Sequence, residues 1–220
     1  MRTPLTALPL LLLCIVGSLS AQAAGSGKSG RRALLPRELE IALARSAAPP
    51  AVSDSARILV LTDRGFEVAV PGTTAVTCIT NRSWPDSLEP SCFDAEASLT
   101  VLSVELYRTE GRHKGRADAD IEREISDRLA DGRFRLPRRP ALQYMLSSAQ
   151  QLISDEGRKV GKWYPHMMLS IPYLTNGELG LPEAMDMRVG MVSDSGKPWA
   201  TLVIPVRAFV EPAPAAGRSP

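Results

Sequence analysis

"ARILVLTDRGFEVAVPGTTAVTCITNR", residues Ala56–Arg82, contains three apolar, β-branched runs separated by two turn signals. The first break is Asp63-Arg64-Gly65 and the second is Pro71-Gly72, so the stretch predicts an antiparallel meander of three strands. In the middle run Phe66, Val68 and Val70 share one face while Glu67 and Ala69 share the other, as expected of a strand with one side toward a core. A sheet is therefore the frame to which the other segments attach.

Two helical patterns follow. In "SCFDAEASLTVLSVELYRTEG" (91–111), Ser91 and Asp94 have capping-box spacing, and Glu96 suits the positive end of a helix dipole. Ala95, Leu99, Leu102 and Leu106 recur at helical intervals up to Gly111, which predicts one principal helix with Cys92 in its first turn. "ADADIEREISDRLADG" (117–132) predicts a second helix, with Ile121, Ile125 and Leu129 as its stripe and Gly132 as its stop.

Strand patterns return after that. Leu142, Tyr144 and Leu146 alternate with Gln143, Met145 and Ser147, and Met167, Leu169 and Ile171 alternate with His166, Met168 and Ser170. "MRVGMVS" and "WATLVIPVRAFV" flank "DSGK" as a hairpin, and Pro205 places the last strand on an edge or interrupts it. The expected fold is α+β, a single domain over 57–210 with a largely antiparallel sheet and helices on one face. Residues 24–56 read as a flexible linker with a short amphipathic helix, "LPRELEIALARS", whose apolar side is Leu35, Leu39, Ala42 and Leu43. Residues 211–220 read as a disordered tail.

The beginning of the chain assigns the compartment. Arg2, the apolar run Leu5–Leu19 and the small residues of Ala21-Gln22-Ala23 have the layout of a signal peptide, residues 1–23. The neighbouring "AAGSGKSGRR" (23–32) imitates a phosphate-binding loop, but Gln22 stands where its first glycine belongs and no buried strand precedes it. Cys14 leaves with the leader, so Cys78 and Cys92 remain and are expected to form a disulfide in the periplasm or outside the cell. Asn81-Arg82-Ser83 has the pattern of a glycan acceptor, meaningful in a eukaryotic secretory host. With 26 Lys and Arg against 24 Asp and Glu, no overall field recruits nucleic acid, and no second long apolar segment would insert in a membrane.

Candidate chemistry concentrates in "GKWYPHMMLSIPY". Trp163, Tyr164, His166, Met168 and Tyr173 are the candidate ligand-binding residues, for a small molecule or an envelope protein partner, with no cofactor required. The rival is a hydrolase or isomerase in which His166 works with Tyr144 and a carboxylate such as Glu96; no nucleophile elbow or zinc-protease helix is present, so catalysis is not the favoured reading. A third possibility is copper, or haem through a His and Met pair, using His166 with Met168, Met185, Met187 or Met191. His113, between glycines in "TEGRHKGR", reads as solvated, and the arginines of "RFRLPRRP" with Arg112, Lys114 and Arg116 read as a solvated rim or an anion surface.

"PALQYMLS", "WYPHMMLSIPY", "TCIT" and "SCFDAE" together resemble a group of uncharacterised exported bacterial proteins, over the region Arg57–Val210. The resemblance implies a bacterial envelope setting and one continuous domain. It implies no mechanism.

The leader reading has a direct check. Intact-mass measurement of the exported protein is expected to show a chain starting at Ala24; retention of residues 1–23 in the exported product would refute it.

Overall fold

The computed structural model describes residues 34–82, 87–153, 159–161 and 163–213. The expected leader (1–23), the Gly/Ser string, Ser83 of the glycan pattern and residues 214–220 of the expected tail lie outside the described residues.

In chain order the elements are α1 (Arg37–Arg45), α2 (Pro50–Ser53), β1 (Arg57–Thr62), β2 (Gly65–Val70), β3 (Thr77–Asn81) and β4 (Glu89–Phe93). Then come α3 (Ala95–Leu99), α4 (Val101–His113), α5 (Asp118–Ala130), β5 (Ala141–Met145), β6 (Leu152–Ile153) and β7 (Lys159–Gly161). The chain closes with β8 (His166–Ser170), β9 (Met191–Ser193) and β10 (Thr201–Pro205). Eight strands form one sheet in the order β2-β1-β3-β4-β5-β8-β10-β9, while β6 and β7 make a separate antiparallel ribbon. Only β1 and β3 run parallel among the pairs of the large sheet, so the fold is α+β with a mostly antiparallel sheet.

The meander is half correct. β1 and β2 form the expected hairpin, but β3 pairs with the other flank of β1, parallel to it. Pro71-Gly72 is therefore a crossing and not a hairpin turn. The backbone passes so close to β1 that a Cβ at Gly72 would sit 2.3 Å from the Arg57 nitrogen, and Thr73 donates to the Ser55 carbonyl at 2.9 Å. A bulge between Ile58 and Leu59 skips Ala69, so Val70 turns to the face of Ile58 while Phe66 and Val68 stay on the face of Leu59. The expected three-residue apolar face of β2 is split for that reason.

The helices cover both faces, which corrects the one-sided arrangement. Cys78, Cys92, Ile58 and Tyr144 pack beneath Ala44, Ala47 and Ala48 of α1 and its extension. Ile79, Phe93 and Ala141 pack against Ala97 of α3 and Leu102 of α4. Successive strand residues point to opposite sides, so these clusters lie on opposite faces of the sheet. The first helix is thus a layer of the fold and not part of a linker. Its inward side keeps Ala42 and Leu43 of the expected stripe but is turned from the rest of it, since Leu39 is 37% exposed and Glu40 is fully buried. Glu40 is held by the guanidinium of Arg82 at 3.2 and 3.3 Å, accepts from the Leu61 nitrogen at 3.0 Å, and its own carbonyl accepts from the Thr80 hydroxyl.

The principal helix also begins later than expected. Ser91 and Cys92 belong to β4, and the cap is Asp94, whose Oδ1 accepts from the Ala97 nitrogen at 2.8 Å. The Cys78–Cys92 disulfide therefore joins opposed residues of adjacent strands, where a bond from strand to helix was expected. The helix breaks at Thr100 and then continues through Gly111 to His113. Gly111 serves packing, not termination: a Cβ there would meet Ile121 Cδ1 of α5 at 2.9 Å. α5 matches its pattern, with Ile121 and Ile125 fully buried and Gly132 at φ 79° just past its end. β9 and β10 form the expected hairpin, but β10 lies between β8 and β9, so Pro205 marks an interruption and β9 is the edge.

Replacing Glu40 by Gln removes a buried carboxylate that two nitrogens of the Arg82 guanidinium reach. Urea unfolding is expected to show a loss of about 3 kcal/mol; a loss below about 1 kcal/mol would mean that this pair does not secure α1.

Candidate functional site

The register of four neighbouring strands composes the site's floor. Gln143 of β5 stands opposite Met168 of β8, which stands opposite Val203 of β10, which stands opposite Met191 of β9. One row further, Met145 stands opposite His166, and these residues share the face of Phe93 and Ala141. This is the face that carries α3 and α4.

Over the floor lies a cavity of about 500 Å³, with Met145, His166, Met168, Met191 and Val203 on the strand side. Trp163, Trp199 and Met185 contribute from the loops, while Glu105 and Arg108 of α4 and Glu122 of α5 form a charged wall. That wall is internally paired. Arg108 bonds Glu122 at 2.7 Å and also bonds Glu105, while Glu105 accepts from the Asn81 amide at 2.6 Å. Burial of the Glu105 carboxyl disfavours its ionisation, but the Arg108 charge and the Asn81 and Arg108 hydrogen bonds outweigh that, and its pKa lies below 4.5. For Arg108, burial is likewise outweighed by Glu105 and Glu122, which keep the guanidinium charged.

His166 is 3% exposed. Its Nδ1 lies 2.9 Å from the Tyr164 carbonyl oxygen, which can only accept, so Nδ1 carries the proton and Nε2 the lone pair. The ring is flanked by Trp163 at 5.4 Å and Tyr164 at 5.7 Å between centroids. Burial pushes its pKa below 6.5, partly opposed by the Tyr164 carbonyl, and the imidazole is neutral at pH 7.

Of the candidate ligand-binding residues, Trp163, His166 and Met168 line the cavity. Tyr164 instead braces the imidazole, and its hydroxyl is buried with no partner among the described residues, which raises its pKa. Tyr173 is 59% exposed and outside the cavity wall. The candidate catalytic set is not brought together. Tyr144 faces the opposite side of the sheet, among the Cys78 and Cys92 cluster, and Glu96 accepts from the Arg138 nitrogen and pairs with Arg139 at 3.1 Å. Met187 is 53% exposed, whereas Met185 and Met191 reach the cavity.

Two further expectations are resolved. His113 is buried and not solvated, because α4 runs past Gly111 and sets its last turn near the β1–β2 turn; its Nε2 lies 4.0 Å from Asp63. Several of the arginines expected to form a rim are paired locally, Arg112 with Asp118, Arg116 with Glu124 and Arg133 with Asp131. No group of three or more His, Cys, Asp or Glu placed to hold a metal occurs among the described residues.

Met145, Gln143, Glu105, Arg108 and Trp199 escaped the sequence reading as site residues. A signal existed for the first two, since Gln143 and Met145 occupy the less apolar face of their strand, as His166 and Met168 do of theirs. Pairing those two faces would have located the floor. No family model, curated protein or solved structure matches this chain.

The charged wall generates a pH dependence. The folded pKa of Glu105 lies below its unfolded value, so its contribution is fully present above pH 4.5 and is lost as pH falls through the folded pKa. Urea midpoints of the Glu105→Gln variant are expected to fall less between pH 5 and pH 2.5 than those of the parent protein; parallel curves would show that the carboxylate is not so stabilised.

Proposed function

We propose that the protein binds a small ligand in the cavity above β5, β8 and β10 and does not transform it. The observation that carries this reading is the cavity, whose volume of about 500 Å³ falls in the range of small-molecule sites. Aromatic and thioether side chains supply contact area on one side of it, and a paired charged wall supplies fixed polar groups on the other. The separation of Tyr144 and Glu96 from His166 supports binding over acid/base catalysis by that set.

The setting we propose is the periplasm or the extracellular space of a bacterium, in keeping with the exported group that the sequence resembles. The apolar leader and the disulfide support it, and no described helix is long and apolar enough to cross a membrane. A protein partner of the envelope would engage the same region through the exposed Tyr173.

The test uses anilinonaphthalene sulfonate, an aromatic anion of suitable size, under native conditions. The parent protein is expected to bind it saturably, and Met168→Trp, which fills the floor, is expected to weaken binding at least ~10-fold. Equal binding by both proteins, with the disulfide intact in each, would remove the cavity as the site.

A further inference from the structure

We propose that the floor of this cavity is a cuprous-ion site whose ligands are the thioether sulfurs of Met145 and Met168 and Nε2 of His166. The inference rests on the reading of the cavity as a ligand site and names the ligand's chemical class.

Register brings the three donors together. Met145 and His166 are directly opposed on antiparallel neighbours, so their Cβ atoms are about 5 Å apart. Met168 follows His166 by two positions on the same face, about 7 Å along the strand. The long, unbranched thioether side chains can bring their sulfurs to bonding distance of one ion beside the imidazole without a change of backbone.

The donor set selects the ion. Thioethers and a neutral imidazole are soft to intermediate donors that suit Cu(I), whereas zinc and calcium require nitrogen, thiolate or oxygen donors in larger number. None of the three donors carries charge, so a singly charged ion is accommodated in a half-enclosed site more readily than a divalent one. Groups of three or more His, Cys, Asp or Glu suited to harder ions do not occur among the described residues.

The imidazole is already oriented as a ligand. Its Nδ1 proton is committed to the Tyr164 carbonyl, the backbone contact that commonly fixes a metal-bound histidine and leaves the other nitrogen for the metal. The Trp163 ring, 5.4 Å from the imidazole, would shield a bound ion from water and can face it as a π surface.

Buried methionines usually fill gaps in cores. Here Met145 and Met168, with Met185 and Met191 further along, border an open cavity of about 500 Å³.

The test titrates the disulfide-intact protein with Ag(I), a redox-inert stand-in, and with Cu(I) maintained by ascorbate against bicinchoninate as competitor. One ion per chain is expected, with quenching of tryptophan fluorescence and sulfur and nitrogen neighbours in the X-ray absorption spectrum. Met145→Leu with Met168→Leu keeps the side-chain volume and is expected to weaken binding roughly 100-fold, and His166→Asn at least ~10-fold. Met187→Leu, which alters an exposed thioether, should have no effect. Absence of 1:1 binding, or unchanged affinity in either the double variant or His166→Asn, would overturn the proposal. If one-to-one metal binding is absent but anilinonaphthalene sulfonate binds in a Met168→Trp-sensitive manner, the cuprous site fails while the cavity reading stands; if neither probe binds there, both fail.

Discussion

The disulfide between Cys78 and Cys92 ties two directly opposed residues of β3 and β4, and the orientation of each strand beyond it follows from that register. Side chains alternate with a period of two, so a slip of one residue would exchange every core position for its opposite. From Cys92 the ladder passes to Tyr144 and then to Met167, and from Phe93 to Gln143 and then to Met168. Cys92 and Tyr144 of the first row face α1, and Gln143 and Met168 of the second face the cavity. Closing the short loop contributes about 3 kcal/mol in the chain-entropy account, but its larger consequence is that it excludes the slipped pairing outright.

The two faces are stabilised by different physics. Under α1 the residues in contact are small, with Ala44, Ala47 and Ala48 fully buried, so the helix lies close and its one inward charge, Glu40, must be matched. Arg82 and the Leu61 nitrogen meet that need, and in doing so they connect the helix to the region where β1 and β3 run parallel. On the other face Leu102 and Ala97 cover Ile79 and Phe93. The apolar Val101, Val104 and Leu129 of α4 and α5 lie toward Ser170 and Thr201 at one end of β8 and β10, while above His166 and Met168 these helices present Glu105, Arg108 and Glu122. Such a surface cannot close onto methionine and imidazole without losing its own pairing, and the sheet is left with a cavity instead of a second core.

The same reasoning explains why the tyrosine and the glutamate that looked catalytic from the sequence stand away from His166. Tyr144 immediately precedes Met145, the residue opposite His166, and adjacent strand residues point to opposite sides. Glu96 is in the first turn of α3, where the Arg138 backbone nitrogen and the Arg139 guanidinium hold its carboxylate below the usual pKa. What converges on His166 is instead the methionine from the next strand and the two flanking aromatic rings.

Signals that act within a few residues were legible. The hairpin at Asp63-Arg64-Gly65, the helix over Asp118–Ala130, the strands around Tyr144 and His166 and the identity of the disulfide partners all follow from periodicity, turn residues and cysteine count. Signals that depend on what arrives from a distance were not. Gly72 and Gly111 each looked like punctuation, yet one permits a chain crossing and the other a close helix contact, and a sequence cannot distinguish these because both require only the absence of a side chain. Likewise, the alternation around Met145 and His166 showed which residues share a face within each strand, while only the pairing of β5 with β8 decided that those faces coincide. Local conformational preference is carried by each residue, but the choice of strand partner comes from the summed burial of residues far apart in the chain, which leaves no local pattern to read.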